Sequence, residues 1–183
     1  MAEKESNQKI CIRNLAEDEL SKWLDFLCDE IFPGDPRENV EGIWYDDAEK
    51  DLRGVFVSVN PDNSIVASVK VCCTMMTVKD QKVLAGIISG VGTKKEYRGC
   101  GITGQLWAAC NKYMEDREVN IAHLYSKPDT LDYYLHLGFR CSDKHPDESF
   151  YRMYRVIQPF ELGNIHISTT EEFIDFERFL SAR

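Results

Sequence analysis

The sequence predicts an α+β domain, a mixed and mostly antiparallel twisted sheet of about seven strands flanked by helices. Three observations lead there. The elements run β-α-α-β-β-β-α-β-α-β-β, which is no regular βα repeat. The chain has 183 residues, 43% hydrophobic and 29% charged, enough for one full core and too few for two comfortable ones. Three β-rich stretches, parted only by short turns, lead into a glycine-rich join and a long helix.

Residues 9–15 read as a short strand, because Ile10 and Ile12 alternate with Cys11 and Arg13. Leu20, Trp23, Leu24, Leu27 and Ile31 recur at helical spacing, and Pro33-Gly34 stops that helix. A weaker helical stretch over 40–51 carries Ile43, Trp44 and Ala48. Residues 54–59 and 64–78 are β-rich, with Asn60-Pro-Asp-Asn63 as the turn between them. Lys79-Asp-Gln-Lys82 turns the chain again into a strand over 83–91. A helix over 102–115 follows, then a strand at 120–125, a helix at 129–137 and strands at 139–142 and 150–156. The domain is expected to span 1–157, leaving 158–183 as an extension. There Ser168-Thr-Thr-Glu-Glu172 offers capping-box spacing twice, before the apolar side of Phe173, Ile174, Phe176, Phe179 and Leu180. That helix packs on its own domain, walls a cleft, or makes a contact in a homodimer.

Composition narrows the function classes. The net charge of −9 speaks against binding nucleic acid by phosphate neutralisation and is compatible with a cationic partner such as an amine. No apolar run is long enough to span a membrane, and Met1-Ala-Glu-Lys-Glu-Ser lacks a signal-peptide core, so no membrane association is expected. The seven cysteines are odd in number, Cys72 and Cys73 are neighbours, and no C-x-x-C pair exists. This pattern favours reduced thiols in the cytoplasm and gives a metal site little support.

Chemistry concentrates at the join Gly92-Thr-Lys-Lys-Glu-Tyr-Arg-Gly-Cys-Gly-Ile-Thr-Gly-Gln-Leu106. A strand ends and a helix begins there, so unpaired amides and the positive end of a helix dipole meet at one place. Gly99, Gly101 and Gly104 let the main chain approach a bulky anion, while Lys94, Lys95 and Arg98 form a basic island in an acidic chain. The spacing Gly99-x-Gly101-x-x-Gly104 satisfies the bare glycines of a dinucleotide fingerprint, but no βαβ unit precedes it. The sequence thus offers a phosphate cradle of another kind.

The segment Arg98-Gly-Cys-Gly101-Ile-Thr103 resembles the R/Q-x-x-G-x-G/A motif of the GNAT N-acetyltransferase superfamily, with Thr103 at a position usually held by a smaller residue. The element order over 9–156 is also the order of that family. The resemblance implies the GNAT-like acyl-CoA N-acyltransferase fold and acetyl-CoA as co-substrate, its pyrophosphate held by Arg98, Gly99, Cys100, Gly101, Ile102, Thr103 and Gly104. It also implies acyl and pantetheine contacts on the backbone around Val91, Gly92 and Thr93. Gly90 and Gly92 would permit a bulge or a close ligand approach there.

The activity implied is acetyl transfer to a primary amine, on a small molecule or a peptide, by direct attack. Tyr134-Leu-His-Leu-Gly138-Phe139 is similar to the family stretch whose Tyr acts as general acid, although an aromatic on a packed helix face would read the same way. No acid or His lies within 83–91. Ser89, the hydroxyl there, is a water-holding candidate or a tolerated small residue. Asp35, Glu38 and Glu41 are further candidates for the base, and His123 reads as a base or as a satisfied structural histidine of its strand. Cys100, beside Arg98 at a helix start, reads as an activated thiol or as incidental. Without an assigned base, a non-catalytic acyl-CoA-binding or sensing domain stays as the alternative.

Overall fold

A computed structural model describes residues 10–78, 80–144 and 149–181. The expected strand start at Lys9, the turn residue Lys79 and the side chains of Phe179 and Leu180 lie outside what is described. The strands are β1 (Cys11–Asn14), β2 (Val55–Val59), β3 (Ile65–Val78), β4 (Gln81–Thr93), β5 (Ile121–Ser126), β6 (Arg140–Lys144), β7 (Tyr151–Val156), β8 (Phe160–Leu162) and β9 (Ile165–Ile167). The helices are α1 (Leu20–Phe26), α2 (Arg37–Tyr45), α3 (Ile102–Glu115), α4 (Leu131–His136) and α5 (Thr170–Ser181). Seven strands hydrogen-bond in the order β1-β2-β3-β4-β5-β7-β6, and β8 pairs with β9. The sheet is mostly antiparallel, with β4 and β5 parallel.

The chain divides into two compact units. The first takes residues up to Lys70 together with Ser89–Cys110, and the second takes Val71–Ile88 together with Asn111–Arg183. In the first, β2 pairs antiparallel with β1 and with β3. β-Branched residues suit this sheet, and Val55, Val57, Val59, Ile65, Val66 and Val69 are all buried. Trp23, Leu24, Phe26 and Leu27 bring one helical face onto the same core, where Trp23 meets the edge of Trp44 at 6.2 Å.

The first helix does not run as one α-helix to Pro33. It changes after Phe26 into a π turn over Leu27–Ile31, closed by the Phe32 amide on the Leu27 carbonyl at 2.9 Å. The buried Lys70 ammonium donates to the Ile43 carbonyl at 2.9 Å and pairs with Asp47. Removing one partner of such a pair costs about 3–5 kcal/mol, so this bond pins the segment after α2 to β3.

In the second unit, β7 lies antiparallel to β5 and β6, and β5 lies parallel to β4 over Ala85–Ile87 against Ile121–His123. Its core joins Val83, Ala85, Ile121 and Tyr154 to Phe160, Leu162, Ile167, Phe173 and Ile174. The sequence predicts no element ahead of Ser168 in the extension, whereas Phe160–Leu162 and Ile165–Ile167 form the β8–β9 hairpin. Phe160 and Leu162 alternate with Glu161 across the turn at Gly163, which takes φ +64°. α5 packs against β6, β7 and β9, and Phe173 is fully buried. Its cap is the Thr169 frame: the Glu172 amide donates to Thr169 Oγ1 at 3.2 Å, and the Glu172 carboxylate accepts from the amides of Ser168 and Thr169.

Candidate functional site

The glycine-rich join belongs to the first unit. β4 ends at Thr93, one 3-10 turn covers Lys95–Tyr97, and α3 begins at Ile102. Gly99 and Gly101 sit in the left-handed region at φ +77° and +75°, and a Cβ at either would meet no atom within 4 Å. Their glycine identity therefore answers to backbone conformation in open space, not to crowding. No described carbonyl accepts from the amides of Gly99 to Gly104, so the run ahead of the first α3 turn stays available as donors. Around them Lys95, Arg98, Gly99, Cys100, Gly101 and Gly104 are exposed, and Ile102 is buried beneath.

Two interactions hold the loop in this shape. Arg98 Nε donates to the Thr93 carbonyl at 3.0 Å, which ties the guanidinium to the strand end. Thr93 and Thr103 share a hydroxyl hydrogen bond of 2.9 Å. The Thr103 hydroxyl thus ties the start of α3 to the end of β4. Lys94, Lys95 and Arg98 make no ion pair with a described residue. Cations beside unbonded amides are the electrostatics of an anion site, with Lys95 and Arg98 exposed on the loop and Lys94 also within electrostatic reach of Asp62. The Cys100 thiol is exposed and lies 3.8 Å from the Arg98 carbonyl.

The β4 glycines lie close to other parts of the first unit. A Cβ on Gly92 would lie 2.6 Å from Ile31 Cγ1, and one on Gly90 would lie 3.3 Å from Trp23 Cζ2. These positions are glycine because the α1 face and its π turn press against the strand. Gly90 also takes φ +57°, and its carbonyl accepts from Ser68 Oγ at 2.6 Å. Ser89, the residue before Gly90, is half-buried, and its hydroxyl has no hydrogen bond to a described residue. Val91 is half-buried and Thr93 is buried.

The first unit also holds a cavity of about 370 Å³ beside α1 and the β2–β3 turn. Asp25, Asp29, Glu30 and Asp62 line it against two lysines, Lys22 and Lys94. Of the other acidic candidates, Glu41 is held by Arg37 at 2.8 Å.

Tyr134 lies in the second unit, near the end of α4. The spacing from Tyr134 to Gly138-Phe139 has a structural cause: Gly138 takes φ +86°, and the Phe139 and Gly138 amides donate to Tyr134 and Leu135 carbonyls at 3.1 Å each. That double bond closes a helix in the left-handed glycine cap, so the stretch encodes a helix stop as well as a phenol. The Tyr134 ring is buried, edge-on to Tyr133 at 5.1 Å and to Phe139 at 6.0 Å. Burial, with Tyr133 adding to it, pushes the phenol pKa well above its ordinary value and keeps the proton on oxygen. No group of three or more His, Cys, Asp or Glu among the described residues is placed to hold a metal ion. No described helix is long and apolar enough to cross a membrane.

Residues 11–141 match the family model described as an acetyltransferase (GNAT) domain. The chain belongs to the GNAT acetyltransferase family. No curated protein sequence matches it. Among solved structures, a GNAT family N-acetyltransferase from Escherichia coli in complex with CoA aligns with TM-score 0.66 at 12% identity, over 85% of this chain and 86% of that one. The NatC complex bound to Gag peptide and CoA aligns with TM-score 0.61 at 15% identity, over 79% of this chain and 96% of that one. A GCN5-related N-acetyltransferase from Kribbella flavida aligns with TM-score 0.61 at 23% identity, covering 74% of this chain. This GNAT chain spans 34% of the length of the Kribbella protein, and at these identities the likeness speaks for the fold.

Proposed function

We propose that the protein is an N-acetyltransferase that moves an acetyl group from acetyl-CoA to a primary amine. The observation that carries this is the run of amides from Gly99 to Gly104 that no described carbonyl accepts from, flanked by Lys94, Lys95 and Arg98, which form no ion pair with a described residue. Anionic oxygens fit such a cradle, and the open space over Gly99, Gly101 and Gly104 leaves room for a bulky one. Family membership, and CoA in two of the structural neighbours, support CoA as the donor of that anion. In this reading the backbone at Val91, Gly92 and Thr93 meets the pantetheine arm, and Cys100, Ile102 and Thr103 complete the phosphate loop.

Acetyl-CoA supplies the acetyl group activated as a thioester. The neutral amine attacks the acyl carbon, the C–N bond forms, and the C–S bond breaks with its electron pair on sulfur. Tyr134, protonated in its buried site, gives the thiolate a proton and regains one through water as the attacking nitrogen loses its own. The Ser89 hydroxyl, without a partner among the described residues, offers a hydrogen bond to the amine or to a water beside it. The acidic chain and the carboxylate-lined cavity favour a cationic acceptor, and a peptide amine such as the NatC structure carries is one such class. A cytoplasmic, reduced setting agrees with this chemistry.

Tyr134→Phe tests the assignment. It should lower kcat by about 10²- to 10⁴-fold while acetyl-CoA affinity, measured by calorimetry, stays within twofold. Unchanged turnover would remove Tyr134 from the mechanism. Binding of acetyl-CoA without acetylation of any amine would instead indicate a sensing domain.

A further inference from the structure

β4 carries no ionisable side chain from Val83 to Thr93, so the strand that leads into the glycine loop offers no group to take the proton of an ammonium acceptor. One histidine elsewhere has the required features. His123 is the last residue of β5 paired with β4: the parallel ladder runs Ala85–Ile121, Gly86–Ala122, Ile87–His123 and ends there. β5 continues to Ser126 paired on its other side with β7.

The ring is 7% exposed and held from three directions. Its Nδ1 lies 3.1 Å from the Met153 carbonyl, a partner that can only accept, so Nδ1 carries the hydrogen and Nε2 carries the lone pair. Tyr154 stacks on one face at 4.7 Å, and Tyr125 meets the ring edge-on at 4.9 Å. Tyr154 is itself fixed, because its hydroxyl donates to Glu177 of α5 at 2.9 Å. Nε2 has no hydrogen bond to a described residue. Among the described residues the sealed polar side-chain atoms without a partner belong to Trp23, Ser58 and Asn60, and Nε2 is not one of them. A nearly buried imidazole, locked in one tautomer with its basic nitrogen unpaired, sits at the end of a ladder where the β4 edge loses its β5 partner.

We propose that His123 is the general base of the reaction, its Nε2 accepting a proton from the ammonium form of the acceptor amine. This rests on the acetyltransferase reading above. The lone pair of Nε2 takes one ammonium proton, and the freed nitrogen lone pair attacks the acyl carbon. The amine's second proton leaves as the amide forms and is matched by the proton that sulfur gains. The imidazolium then returns its proton to water, so the turnover releases one proton, one amide and one thiol.

The groups that face the ring set its titration. Tyr125 lies on β5, Arg152 and Tyr154 on β7 and Glu177 on α5, while β4 presents the apolar Ile87. Burial holds the imidazole below the ordinary value of 6.5, and Arg152 acts in the same direction against Met153 and Glu177. The base is therefore already neutral at pH 7. The free enzyme should show an acid limb in kcat/KM whose midpoint lies below 6.5.

The test compares wild type with His123→Asn, which keeps a side-chain N–H for the Met153 carbonyl and removes the basic nitrogen. A rate loss of about 10²-fold or more, disappearance of the acid limb and unchanged acetyl-CoA affinity by calorimetry are expected. His123→Ala should regain part of the rate with added imidazole. A His123→Asn protein that turns over within threefold of wild type with the same limb would overturn the proposal. If neither variant folds, the wild-type profile decides: a limb centred at or above 6.5, or none, overturns it. A wild type that fails to bind acetyl-CoA sinks the underlying acetyltransferase reading, which separates that failure from a failure of His123 alone.

Discussion

Gly90 and Gly92 on β4 and Gly99 and Gly101 in the loop lie within a dozen residues of one another, and all four look alike in the sequence. Their surroundings differ. On β4, Gly92 is glycine because Ile31 occupies the space a Cβ would need, at 2.6 Å, and Gly90 combines φ +57° with a 3.3 Å approach to Trp23. The loop pair is glycine because the chain turns through φ +77° and +75° with nothing nearby. One pair lets a helical face close on a strand, which is a matter of folding. The other leaves amides unbonded and space empty, which a protein without a ligand has little reason to keep.

Substitutions at the two pairs should separate these roles. The largest effect is expected from Gly92→Val, which drives two γ carbons into Ile31 and its π turn. Overpacking of this kind costs about 1–3 kcal/mol, read as a lower denaturant midpoint. Next comes Gly99→Ala, which places an L side chain at positive φ for about 1–2 kcal/mol of local strain. Because the loop has room to relax, the cost should appear as acetyl-CoA affinity lowered about tenfold, with the unfolding midpoint nearly unchanged. Equal losses of stability from both substitutions would erase the distinction. The smallest effect is expected from Arg98→Ala, roughly fivefold weaker binding and a shallower dependence of affinity on salt, for an exposed charge worth about 1 kcal/mol.

The same contrast shows what the sequence could reveal. α3 runs over Ile102–Glu115, as the glycine join and the apolar period predict, because a helix start is a local event. The Asn60–Asn63 turn was legible for the same reason, and Asn63 takes φ +61° in it. The π turn was not, since its apolar residues keep helical spacing and only the bond from Phe32 to Leu27 betrays it. The β8–β9 hairpin did leave a signal, the alternation on either side of Gly163-Asn164, but three-residue strands are too short to stand out. The crowding of Gly92 could not be read at all, because Ile31 lies far away in the chain and meets it through folding alone. For the site, the loop was local and legible. The stacking of Tyr154 on His123 and the bond to the Met153 carbonyl come from β7 and could not be seen in β5.

The most direct test of the central claim is a calorimetric titration of the wild-type protein with acetyl-CoA and, side by side, with S-acetylpantetheine, which carries the same thioester without the diphosphate and nucleotide. If the amides of Gly99 to Gly104 and the three cations hold the pyrophosphate, acetyl-CoA should bind in the micromolar range and S-acetylpantetheine about 100-fold more weakly or not at all. Equal affinities, or no heat from acetyl-CoA at millimolar concentration, would contradict the account.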